Sequence, residues 1–141
     1  MNRVHLISLR AHFLLLCLCL EAAHAEWTPI DGKHQSPGLR MVYIDSDSVR
    51  RDADLVTLTV LIDWKSMQGG RSPTRFYSTT LTKQFDCRER RARSLAAIDF
   101  YDHMGTGTAD HGSGYTNDSP WVTFEPESLS QGLWETVCGK H

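Results

Sequence analysis

The stretch from Phe85 to Ser94 reads FDCRERRARS. Cys87 lies between Asp86 and Glu89 and is followed by Arg88, Arg90, Arg91 and Arg93. Positive neighbours lower a thiol pKa, so one available chemistry is a reactive thiolate. The other is a structural disulfide beside a basic surface. A second group is the pair of Asp-His dipeptides in the loop DHMGTGTADHGSG: Asp102, His103, Asp110 and His111. Two imidazoles and two carboxylates are candidate metal ligands, but zinc takes three or four convergent ligands, usually His or Cys. The other histidines that follow residue 25, His34 and His141, stand near the ends of that segment. A solvated loop is the better-supported reading, and no metal or other cofactor is expected. The carboxylate pairs Asp45/Asp47 and Asp52/Asp54 sit in turn-like sequence, where Asp bonds its own backbone. No glycine-rich phosphate loop precedes a helix. HGSGY lacks the spacing of a nucleophile elbow. No catalytic residue is expected, and the chain reads as a non-enzyme.

The compartment decides between the two cysteine chemistries. MNRVHLISLRAH carries Arg3 and Arg10 and no acid. FLLLCLCL follows from Phe13 to Leu20, and Ala23-His24-Ala25 closes the segment. A basic start, a short apolar core and a small-x-small end form a secretory signal peptide. The apolar run is far shorter than the roughly 20 residues that span a bilayer, so no membrane span is expected. Residues 1–25 are therefore read as a leader cleaved after Ala25, and residues 26–141 as one exported domain, periplasmic, surface-held or secreted. Lipidation at Cys17 or Cys19 is the alternative, but Leu16 and Leu18 stand where a lipoprotein signal needs a small residue. Past Ala25 only Cys87 and Cys138 remain. An even count in an oxidising compartment argues for one disulfide between them. Asn117-Asp118-Ser119 is a glycosylation sequon, relevant only to a eukaryotic secretory pathway.

The formal net charge is −2, and it becomes one unit more negative without Arg3, Arg10 and Glu21. That gives no global field for nucleic acid or an anionic membrane. A charge-based partner must use a local patch. Arg88, Arg90, Arg91 and Arg93, with Arg75 and Lys83 on the preceding strand, are the candidate residues, read either as a solvated sheet face or as a docking stripe for an acidic protein partner.

Elements must position these groups. DLVTLTVLIDW alternates, with Val56, Leu58, Val60, Ile62 and Trp64 in one phase, and reads as a strand on a core. RFYSTTLTKQFDC alternates again and puts Tyr77, Thr79, Leu81, Phe85 and Cys87 on one face. Short strands are expected near Trp27 and Ile30, over Met41–Ile44 and around Trp121–Phe124, and a longer one over RRARSLAAIDFYD. Arg50–Asp54 reads as a polar turn and Lys65–Pro73, with Gly69-Gly70, as a hairpin loop. PESLSQGLWETVCGKH has helix grammar: Ser128 or Ser130 as cap, a stripe of Leu129, Leu133, Trp134, Val137 and Cys138, and Gly139 past the end. The expected fold is α+β: an antiparallel sheet of five or six strands, one C-terminal helix packed on a face, and one disulfide.

The ordered features carry a family resemblance. They are Trp27, the segment YIDSDSV, the strand ending Asp63-Trp64 and Asp86-Cys87 followed by arginines. Phe100-Tyr101, the Met104-Gly105-Thr106-Gly107 loop, Trp121, Pro126-x-Ser128 and Trp134-Glu135-x-Val137-Cys138 complete the set. The chain resembles the surface-adhesin protein E family of bacterial exported proteins. The resemblance implies a sheet covered by a C-terminal helix, the Cys87–Cys138 bond, often a homodimer, and binding of host matrix or envelope proteins through the basic strand region. The alternative function is a periplasmic small-molecule or metal-binding protein using the Asp102–Gly114 loop.

Overall fold

A computed structural model describes residues 25–31, 37–70, 75–110 and 119–139. The expected leader with Cys17 and Cys19, together with His34, His111, Asn117 and His141, lies outside the described residues. The strands are β1 (Trp27–Pro29), β2 (Leu39–Asp45), β3 (Arg50–Asp52), β4 (Leu55–Gln68), β5 (Phe76–Asp86), β6 (Arg91–Phe100), β7 (Ala109–Asp110) and β8 (Val122–Thr123), followed by helix α1 (Leu129–Cys138). All pairings are antiparallel, in the order β1-β2-β4-β5-β6-β7, with β3 also on β4 and β8 also on β6. The expected five or six strands are this path of six; β3 and β8 are short additions to it.

Period two builds the inner face. Val56, Leu58 and Val60 on β4 are all buried. The register sets them opposite Phe85, Lys83 and Leu81 on β5, and β5 sets Phe85 and Lys83 opposite Ala92 and Ser94 on β6. Val42 and Ile44 of β2 extend the same face. Helix α1 covers it with Leu133, Trp134 and Val137. Ser128 caps the helix by accepting the Gln131 N–H at 3.2 Å, and Gly139 follows it at φ 86°. Cys87, just past β5, and Cys138, at the end of α1, are bonded, with Cα atoms 5.4 Å apart. Sheet and helix are thus joined covalently at one end.

Three segments differ from the sequence reading. Lys65–Gln68 is not loop but the continuation of β4, shifted in register between Asp63 and Gln68. Main-chain pairing, including Lys65 N–H to Gly38 O at 3.2 Å, carries the strand past the end of its apolar period. Arg50–Asp52 is a strand rather than a turn, because it pairs back onto Leu55–Thr57 and leaves only Ala53-Asp54 to reverse the chain. The part of the Asp102–Gly114 loop that is described is ordered into a 3-10 turn, His103–Gly105, and strand β7. The turn lies over the outer face, where a Cβ on Gly105 would sit 3.5 Å from Leu61 Cδ1. This cover explains why Leu61 and Asp63, in the phase opposite to the core, are also buried.

Candidate functional site

The opening stretch folds around Asp86. Its Oδ1 accepts the N–H groups of Arg88 at 3.2 Å and Glu89 at 3.0 Å, which fixes the turn between β5 and β6. Its Oδ2 takes Arg91 Nε at 3.1 Å and Nη2 at 3.0 Å. Burial alone would raise this carboxyl, but the Glu89 N–H, the Arg91 guanidinium and the Arg88 N–H outweigh it and hold it below the usual carboxylate range. Arg90, at φ 51°, closes the turn. The cysteine between these groups is spent in the disulfide, so the arginines serve the surface and not a thiolate.

Strand β8 pairs with β6 through Arg91↔Thr123 and Ala92↔Val122. That register delivers Trp121 to the arginines. Arg91 lies over its ring at 5.0 Å from the centroid and Arg93 at 4.6 Å. Arg93 Nε also donates to Gln84 Oε1 at 2.9 Å, and Gln84 Nε2 donates to Thr57 Oγ1 at 3.1 Å, a polar row across three strands. Arg90 stacks 4.9 Å from the Trp134 centroid, above the helix. Guanidinium over indole is attractive, and the stack adds to the Asp86 pairing in holding Arg91 in place. Beside them Arg88 is 76% exposed and Val122 59% exposed. The result is a cationic and aromatic edge next to the disulfide, with Arg91, Arg93 and Trp121 on the outer face and Arg90 over Trp134 on the helix side.

Of the residues singled out in sequence, Arg88, Arg90 and Arg91 meet here, with Arg93. Arg91 and Arg93 share a face as period two requires, whereas Arg88 and Arg90 belong to the turn and not to a strand. Arg75 is exposed just before β5, at the opposite end of a strand about 30 Å long. Lys83 sits on the inner face, opposite Leu58. The sequence reading has Trp121 and Asp86 only as landmarks of the resemblance and gives neither, nor Gln84, a place in the site. The signal for Asp86 is its place directly before a half-cystine and an arginine run; the role of Trp121 depends on the β6–β8 register.

Asp102 and His103 are not part of a metal cluster among the described residues, and no three His, Cys, Asp or Glu side chains converge there. His103 instead turns its Nδ1 to the buried Asp63, 2.7 Å from Oδ1, and tilts against Tyr77 at 4.7 Å. The Met104 N–H also reaches Asp63 Oδ1, and Arg40 Nε lies 3.7 Å from Oδ2. Ser78 Oγ accepts the Gly105 N–H at 2.9 Å and donates to Asp102 O at 2.6 Å. These contacts clamp the 3-10 turn onto β4 and β5. Asp45 likewise serves its own backbone, accepting the Asp47 N–H at 3.1 Å.

The same fold occurs in Haemophilus influenzae protein E. Its selenomethionine form is 11% identical, with a TM-score of 0.62 over 84% of this chain and 89% of that one. Its crystal form II is 14% identical, with a TM-score of 0.58 over 69% and 79%. Protein E from non-typeable Haemophilus influenzae is 13% identical, with a TM-score of 0.57 over 78% and 74%. No curated protein matches the chain. The family model described as surface-adhesin protein E matches residues 27–139, and the chain belongs to that family.

Proposed function

We propose that this domain is a non-catalytic adhesive module that binds an acidic segment of a protein partner on the edge formed by Arg88, Arg90, Arg91, Arg93 and Trp121. Membership of a surface-adhesin family implies an exported or cell-surface protein, and among the described residues no helix is long and apolar enough to cross a membrane. The observation that carries the proposed edge is the sharing of Trp121 by two guanidinium groups. Arg and Trp are the residue types that dominate binding energy at protein interfaces, and here they are held in place before any partner arrives.

The test is binding of residues 26–141 to immobilised extracellular-matrix and plasma proteins at low and high salt. Wild type is expected to bind a member of the panel and to weaken steeply with salt. The doubly reversed variant Arg88→Glu/Arg90→Glu and the variant Trp121→Ala should each lose about tenfold or more in affinity, with thermal melting retained. Undiminished binding by both variants refutes the proposed surface.

A further inference from the structure

Lys83 is a strand residue in the wrong phase for a cation. The register sets it beside Leu58, which is 1% exposed, and opposite Ser94 at an irregularity between Thr82 and Lys83. Its amine has one polar contact among the described residues, Ser94 Oγ at 3.4 Å, and no carboxylate within ion-pair distance. Burial holds the amine below its ordinary lysine value. Lys83 is half-buried, and partly desolvating a cation with no carboxylate beside it is a cost that an apolar side chain in the same register would avoid. The structure places a cavity of about 390 Å³ against it, between β6, β8 and the start of α1. Val122 and Phe124 give that cavity an apolar wall; Ser94, Ser128 and Ser130 give it hydroxyls. Arg93 and Glu125 are the other charged residues along its lining. The size is that of a small-molecule site, and the mix of apolar wall and few polar groups is the usual one for such sites.

We propose that this cavity binds a small amphipathic carboxylate, its anionic head against Lys83 and Ser94 and its hydrocarbon body against Val122 and Phe124. The site faces inward from the Trp121 edge, and the proposal does not depend on that edge being adhesive. The anion supplies the charge that Lys83 lacks, and the apolar wall selects against a bare inorganic ion.

Octanoate and its neutral counterpart octanamide are the probes, titrated into residues 26–141 by calorimetry and thermal melting. Octanoate is expected to bind saturably and raise the melting temperature; octanamide is expected to do neither. Lys83→Met should weaken octanoate about tenfold or more while leaving the unliganded fold at least as stable. Trp121→Ala should keep octanoate binding, which separates this site from the docking edge. Equal responses to the two probes, or full octanoate binding by Lys83→Met, overturn the proposal. If Lys83→Met does not fold, the ¹³Cε resonance of Lys83 in the wild type decides. A saturable shift with octanoate supports the site, and an unmoved resonance overturns it. A shift produced by an acidic peptide but not by octanoate also overturns it, since the anion would then come from a protein partner.

Discussion

Asp86 concentrates several functions in one residue. It caps the turn that carries Arg88 and Glu89, grips Arg91, and its carbonyl receives the Trp134 indole N–H at 3.4 Å. The folded state holds this carboxyl below its unfolded value, so between the two values the unfolded chain binds more protons. Its contribution is therefore full above the ordinary Asp value of about 3.9 and is lost as pH falls through the lower folded value. Urea midpoints measured from near-neutral pH downward should drop below about pH 4. In Asp86→Asn the drop should be shallower, from a lower starting stability at neutral pH. Trp134 is the matching apolar residue, buried between Phe124, Arg90 and the sheet. Trp134→Ala should cost about 3–5 kcal/mol by chemical denaturation.

At the level of elements, the outer-face turn and the disulfide make opposite use of distance along the chain. Asp63 and His103 are 40 residues apart, and their contact holds His103–Gly105 over Leu61. Asp63→Leu leaves the His103 ring and the Met104 N–H without their acceptor and should destabilise the protein by about 1–3 kcal/mol. Amide exchange at Met104 and Gly105 should accelerate with it. Arg40→Ala should change stability by less than about 1 kcal/mol, because that side chain is 60% exposed and only 3.7 Å from Asp63 at its nearest. The disulfide closes a sequence separation of 51. Cys87→Ser/Cys138→Ser should lower stability by about 2–4 kcal/mol, and α1 should lose far-UV helical signal before the sheet unfolds.

For the whole molecule, what was legible in sequence is what repeats locally. The period-two run on β4, the Leu133–Trp134–Val137 stripe, the Ser128 cap and the pairing of two half-cystines all follow from neighbours within one element or from the cysteine count. The order of aromatic and cysteine landmarks carried the family. What was illegible depends on register between distant strands. Trp121 and Arg93 meet only because β8 pairs with β6, and nothing in PWVTF specifies that partner. Lys83 shares the phase of Leu81 and Phe85, so its inward side is written in the local period; the β4–β5 register adds its neighbour, Leu58. The described start of the glycine-rich loop has no local period because its anchor, Asp63, belongs to a different strand.

The order of elements also bears on how the chain matures during export. Every strand precedes α1, so the apolar inner face is made before the helix that covers it. Cys87 emerges as a free thiol and waits for Cys138. These two are the only cysteines among the described residues. Closure of the covalent loop between Cys87 and Cys138 coincides with seating of the helical lid.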